Sequence, residues 1–223
     1  AIGLNAAVGG GSASIGLAGN VATNRIDNDT TVTLANDNIY ATGTVAALSD
    51  SYERLRNYGG AISIGVSSQA GVALGATVVT NTIEGDTESI VKDSSIVALG
   101  GGDGVKVNEH AIGAVIGDAD KYELKEKAAA LTNAKKGLVV NAEAEHLLRD
   151  ISITGGVAVG GEAGVAVDAT VVINKIGGDT TAAVNNTDVN KNIANLSTAD
   201  VTVDAYDRAD ISSHIGTLSV GVG

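Results

Sequence analysis

The chain has 223 residues, a formal charge of −12, no Cys, Pro, Phe, Trp or Met, and five Tyr (40, 52, 58, 122 and 206) beside 30 Gly. The missing cysteines exclude a disulfide framework and thiolate metal sites, and the acidity disfavours nucleic acid and anionic membrane as partners. Hydrophobic residues still make up 44 %. The core must therefore be built from Ala, Val, Ile and Leu, which suits a narrow, layered interior better than a globular one filled by aromatic rings.

In chain order, a Gly-rich alternating segment at 10–17 leads to the phrase Asn-x-Ile-x-x-Asp-Thr at 24–30, then to short strand-like runs at 31–34 and 44–48. After a polar segment the order repeats: Gly-rich alternation at 59–66, the phrase at 81–87, a run at 89–91, and alternation at 138–142. The third round has its Gly-rich stretch at 155–161, the phrase at 174–180, and runs at 182–184 and 201–205. Period-2 alternation bounded by Gly, Asn and Asp, with β-branched residues in the runs, predicts half-buried strands joined by tight turns. Repetition of the whole order predicts a β-solenoid, one unit stacked on itself.

The phrases lie 57 and then 93 residues apart, and residues 100–137 have no counterpart in the other copies. Setting those 38 residues aside leaves a unit of roughly 55. A solenoid turn of about 20 residues makes each unit two or three turns, in a rod about 40 Å long at ~4.8 Å per turn. Within the insertion, 118–137 reads as a helix, with an Asp N-cap, a Gly stop and a Glu123–Lys127 pair. The insertion holds six basic and six acidic residues, so the remainder carries the full −12. Residues 1–223 form a single solenoid segment. Neither end shows a polar capping sequence, so the ends are expected to continue into further repeats.

Candidate sites are few. Asp29, Asp86 and Asp179 suggest calcium, which takes carboxylate oxygens; turn chemistry explains the same Asn, Asp, Gly and Thr, and stacked Asn at a corner would satisfy backbone groups. Residues 100–104 resemble the calcium-binding nonapeptide of RTX proteins, but the match is single and imperfect, and a hinge is the expectation. His110, His146 and His214 stand apart. Glu143, Glu145, His146 and Asp150 could form an acid/base or metal cluster, yet the matching segments rearrange their charges, and a solvated polar stretch is expected. No nucleophile elbow, P-loop, dinucleotide or zinc motif appears. No catalytic, metal or cofactor residue is assigned, and no enzyme activity is expected.

The runs Gly-Val-Ala-Leu-Gly-Ala-Thr-Val-Val-Thr-Asn-Thr-Ile at 71–83 and Gly-Val-Ala-Val-Asp-Ala-Thr-Val-Val-Ile-Asn-Lys-Ile at 164–176, with Val-Thr-Val-Asp-Ala at 201–205, resemble passenger-region repeats of large bacterial type V secreted adhesins. These are the autotransporter and haemagglutinin-like proteins; the likeness covers nearly all the chain except 100–137. It implies a right-handed parallel β-helix, secretion through an outer-membrane pore to the cell surface, and a role as stalk or adhesive surface. The implied partner is a host or bacterial surface receptor or glycan, with no membrane insertion of this segment. A self-assembling filament subunit stacking end to end is the alternative. A β-helical polysaccharide-acting enzyme is a third reading, weakened by the shortage of aromatics for a sugar cleft.

Overall fold

The computed structural model describes residues 2–9, 11–109, 130–131, 134–193 and 199–223. Within them the fold is all-β, with parallel strands stacked in sheets, an arrangement compatible with a β-solenoid. β1 (Ile2–Val8) stacks on the end of the first turn, which runs β2 (Ala13–Asp27), β3 (Thr30–Ala35), β4 (Asn38–Ala41) and β5 (Val45–Val66). The second runs β6 (Ala70–Glu84), β7 (Thr87–Lys92) and β8 (Ser95–Ala98), then the short β9 (Asn108–Glu109) and β10 (Ala130–Leu131), then β11 (Gly137–Val159). The third is β12 (Ala163–Gly177), β13 (Thr180–Asn185), β14 (Asp188–Val189) and β15 (Asp200–Val222).

Equivalent strands stack in register. The long sheet is ordered β1-β5-β11-β15, a middle sheet β2-β6-β12, and two short sheets β3-β7-β13 and β4-β8-β14. Asn24 pairs with Asn81, and Asn81 with Asn174, so the repeated phrase marks one corner on three consecutive turns. This corrects the expected turn count: each sequence unit is one turn, not two or three. Four strands span only about 15 Å between the outermost pair, far less than the expected rod. The reason is strand length. β5, β11 and β15 run 22 to 23 residues, where alternation alone suggested four to eight.

The long sheet folds back over the other sheets, and the space between them changes character along its length. At the short-sheet end Val45, Ala47, Val91, Ile96, Ala98, Leu138 and Val140 form an aliphatic core. A smaller cluster of Leu55, Ile83 and Leu148 follows, with Ile26 and Ile176 against it. Beyond it the inward residues are mostly Gly, Ala, Ser, Thr and Asn, with Val79 and Asp150 among them, and the two sheets close to backbone contact. A Cβ at Gly71 would lie 2.8 Å from Val159 C and 2.9 Å from Gly65 O, closer than real Cβ atoms approach.

The turns follow residue chemistry. Asn36, Asp93 and Asn186 stack at a second corner with φ of 58°, 50° and 44°, a left-handed conformation that Asn and Asp tolerate better than other side-chain-bearing residues. The Asn186 side-chain amide donates to Asp93 Oδ1 at 2.8 Å. Gly101 N still bonds Thr42 O, after which the chain leaves the stack. An antiparallel Val105–Lys135 bridge and the β9–β10 pair form a stem, and Gly137, at φ 88°, reopens the stack. Most of the helix expected at 118–137 lies outside the described residues; at its end Lys135 is in the bridge and Gly137 in β11.

Candidate functional site

The densest set of polar side chains lies inside the coil, between the long and middle sheets. Asn24 Nδ2 donates to Asn81 Oδ1 and Asn81 Nδ2 to Asn174 Oδ1, both at 2.8 Å. This ladder faces the long sheet, where Asn57 Oδ1 accepts from Asn24 Nδ2 at 3.1 Å. Asp150, with 0 % exposure, accepts from Asn57 Nδ2 at 2.5 Å and Asn81 Nδ2 at 3.3 Å. Ser152 Oγ adds a bond to Asp150 Oδ2 at 3.1 Å, and Ser213 Oγ lies 3.5 Å from the same oxygen. Further along, Thr170 Oγ1 donates to Thr154 Oγ1, which donates to Thr77 Oγ1, at 2.7 and 2.8 Å. The donors of this column are aimed at its own acceptors, so it fixes register between turns rather than presenting groups to a substrate.

A second buried polar pair sits beside the Leu55 cluster. His146 and Glu53 are adjacent in register and both buried, with His146 Nδ1 2.9 Å from Glu53 Oε2. Replacing one partner strands the other in a dry interior, whereas replacing both by similar-sized apolar groups does not. Glu53→Leu is expected to cost about 3 kcal/mol, and Glu53→Leu with His146→Leu to recover most of that loss. Urea denaturation of the two variants checks it, and a double variant as unstable as the single would refute it.

The expectation of a solvated stretch at 143–150 is therefore corrected. Glu143, His146 and Asp150 are all buried, and only Glu145 is partly exposed. The physical reason is that 48–58, 143–150 and 206–213 are successive layers of one sheet. Their alternate residues point inward, His146 and Asp150 among them, and these two take partners from the neighbouring layer; Glu143 is buried on the outer face instead. The four do not converge: Glu143 and Glu145 alternate with His146 and Asp150 along β11 and lie on its opposite face.

The repeated aspartates sit at the first corner as a ladder of their own. Asp29 Oδ1 accepts Asp86 N, and Asp86 Oδ1 accepts Asp179 N, both at 2.9 Å, which is the turn chemistry weighed against calcium. Residues 100–104 supply positive φ at Gly100, Gly102 and Gly104 where the chain leaves the stack. His214 is exposed on β15 opposite Ile151, and His110 lies outside the described residues. Among the described residues no three His, Cys, Asp or Glu side chains gather as a metal-ligand set.

Among the described residues, a surface concavity lies at the second corner. An open groove there is lined by Asn36, Asp37, Asp93, Ser94, Thr187 and Asp188, giving carboxylates, amides and hydroxyls at the spacing of the turns. Such a strip suits hydrogen bonding to a polar, hydroxylated ligand. Sequence reasoning did not single out these residues, and only the stacking of three turns makes them a continuous surface. No family model matches the chain, and neither a curated protein nor a solved structure matches it.

Proposed function

We propose that the chain is a structural and adhesive segment of a secreted bacterial surface protein, a right-handed parallel β-helix serving as stalk or adhesin passenger. The observation that supports this most is the register: three turns stack residue on residue over strands up to 23 residues long. The polar interior is consumed in holding that register. The handedness follows the strong preference of parallel crossovers for the right hand. The reading is non-enzymatic, and the second-corner groove is its candidate contact surface for a glycan or receptor at a bacterial or host surface.

End-to-end stacking into a filament meets a geometric obstacle. β1 and the end of β15 occupy the same place in the turn, since Ile2 pairs with Gly60, Gly60 with Ile153 and Ile153 with Gly216. A second copy docking its β2 on β12 in continuous register would bring its β1 onto residues 216–222.

The test is attachment. Beads coated with the chain are expected to adhere to epithelial cells or to printed glycans above beads coated with an unrelated protein of equal charge. Asp37→Ala with Asp93→Ala is expected to reduce that adherence severalfold. Adherence no better than the control overturns the adhesive role.

A further inference from the structure

One half of the coil has its polarity reversed. Between the long and middle sheets the inward residues are small or polar, as at Gly16, Gly71, Gly75, Thr77, Ser63 and Thr154. Most of the large aliphatic residues point outward, with the small row Gly19, Ala76 and Ala169 between them. On the middle sheet they form rows across three strands: Ile15, Val72 and Val165; Leu17, Leu74 and Val167; Val21, Val78 and Val171. Val21 is 75 % exposed, and Leu17, Val167 and Ile173 are over half exposed. The long sheet repeats this on the opposite side, where Ile2 is 72 % and Leu4 75 % exposed. Scattered surface aliphatics need no explanation, but contiguous rows do.

The same half is nearly free of charge. Segments 1–24, 57–83, 151–173 and 211–223 contain no Lys or Arg and two carboxylates, Glu162 and Asp168. Asp168 is turned inward, where its Oδ2 accepts from Ser219 Oγ at 2.5 Å. These segments carry −2, so −10 of the chain's −12 sits in the remainder. Charge begins again at the rim of the middle sheet, where Arg25 pairs with Asp27 at 2.7 Å and with Glu84 at 3.1 Å.

We propose that the apolar outer face of the middle sheet is an interface for a second copy of this chain, packed sheet on sheet. An uncharged face cannot select a charged partner, and a copy of itself brings the same strand spacing and small-and-large relief, so rows interlock at the ~10 Å separation of packed sheets. From Ala13 to Thr23 over three strands the face measures about 500 Å². A pair of copies buries about 1,000 Å², at the lower bound for a specific interface, which makes the association reversible rather than permanent.

Sedimentation velocity on the whole chain between about 1 and 200 µM tests this. Concentration-dependent self-association that persists at about 1 M salt is expected, since an apolar contact is not screened. Leu74→Lys with Val78→Lys, both outward on β6, is expected to raise the dissociation constant at least tenfold. Tyr40→Lys, on an exposed residue outside the face, is expected to leave it unchanged. If the double variant fails to fold, nitroxide labels on Val78→Cys and Tyr40→Cys replace it in a chain with no other cysteine; dipolar broadening at position 78 and not at 40 supports the interface. A monomer at every concentration, association undisturbed by the two lysines, broadening absent at 78, or monomers that leave solution for phosphatidylcholine vesicles would each overturn it. None of these outcomes bears on adhesion, so the attachment assay and this one fail separately.

Discussion

Gly65→Ala is expected to destabilise the coil by about 3 kcal/mol or more, while Gly19→Ala leaves it unchanged or stabilises it by about 0.5 kcal/mol. Both residues lie in strands of the glycine-rich half, and both substitutions add one methyl group. At Gly65 the new Cβ would fall on the backbone of Val72, 2.8 Å from its carbonyl carbon and 3.1 Å from its nitrogen. Backbone in a paired strand has no rotamer by which to yield, so the long and middle sheets must part, and the contacts on either side of Gly65 part with them. At Gly19 no heavy atom lies within 4 Å, because that residue faces outward. There the substitution only removes freedom from the unfolded chain. In a chain of this length, 3 kcal/mol corresponds to a fall in Tm of roughly 6–12 °C, within reach of scanning calorimetry. Equal effects at the two positions would mean that the sheets do not close to backbone contact.

That contrast also explains which parts of the fold were legible in the sequence. The threefold Asn-x-Ile-x-x-Asp-Thr phrase announced stacking, and Asn24, Asn81 and Asn174 do stack. Alternation announced strands in the Gly-rich and Val-rich runs. It could not announce that strands continue through 48–58 or 143–150, because the inward residues there are Ser49, Ser51, Glu53, Asn57, His146 and Asp150. A strand with a polar interior loses the hydrophobic period while keeping the pleat. What satisfies those side chains lies a whole turn away, 93 residues along the chain for both Glu53–His146 and Asn57–Asp150. Alternation is equally silent about which face is inside. In the glycine-rich half the aliphatic set is outside, since small inward residues let the backbones touch. The candidate contact groove was hidden for a related reason: Asp37, Ser94 and Thr187 become neighbours only through the stacking of three turns.

Asn81 is the position where the stack has most to lose. It is the middle rung of the asparagine ladder, fully buried, and its side chain accepts from Asn24 and donates to Asn174 and Asp150. Asn81→Ala removes all three bonds and leaves an amide and carboxylate oxygens of neighbouring layers short of partners in a dry interior. A loss of about 2–4 kcal/mol is expected. Asn81→Asp keeps the shape and the acceptor from Asn24, but it converts the group 3.3 Å from Asp150 Oδ1 from a donor into a second carboxyl. Two carboxyl groups so placed, away from water, cannot both ionise without severe repulsion, and one retains its proton in the folded state. The folded chain then binds more protons than the unfolded one. By linkage its stability falls as pH rises through the ordinary carboxylate range toward the raised folded value, and is relatively restored below that range. The Asn81→Asp penalty relative to the unmodified chain is therefore expected to be larger at pH 7 than at pH 4, whereas the Asn81→Ala penalty lacks that added carboxylate titration. Paired urea denaturation at the two pH values separates them. An Asn81→Asp penalty independent of pH would show that the ladder does not face Asp150, and with it would fall the account of the polar column as the device that holds successive turns in register.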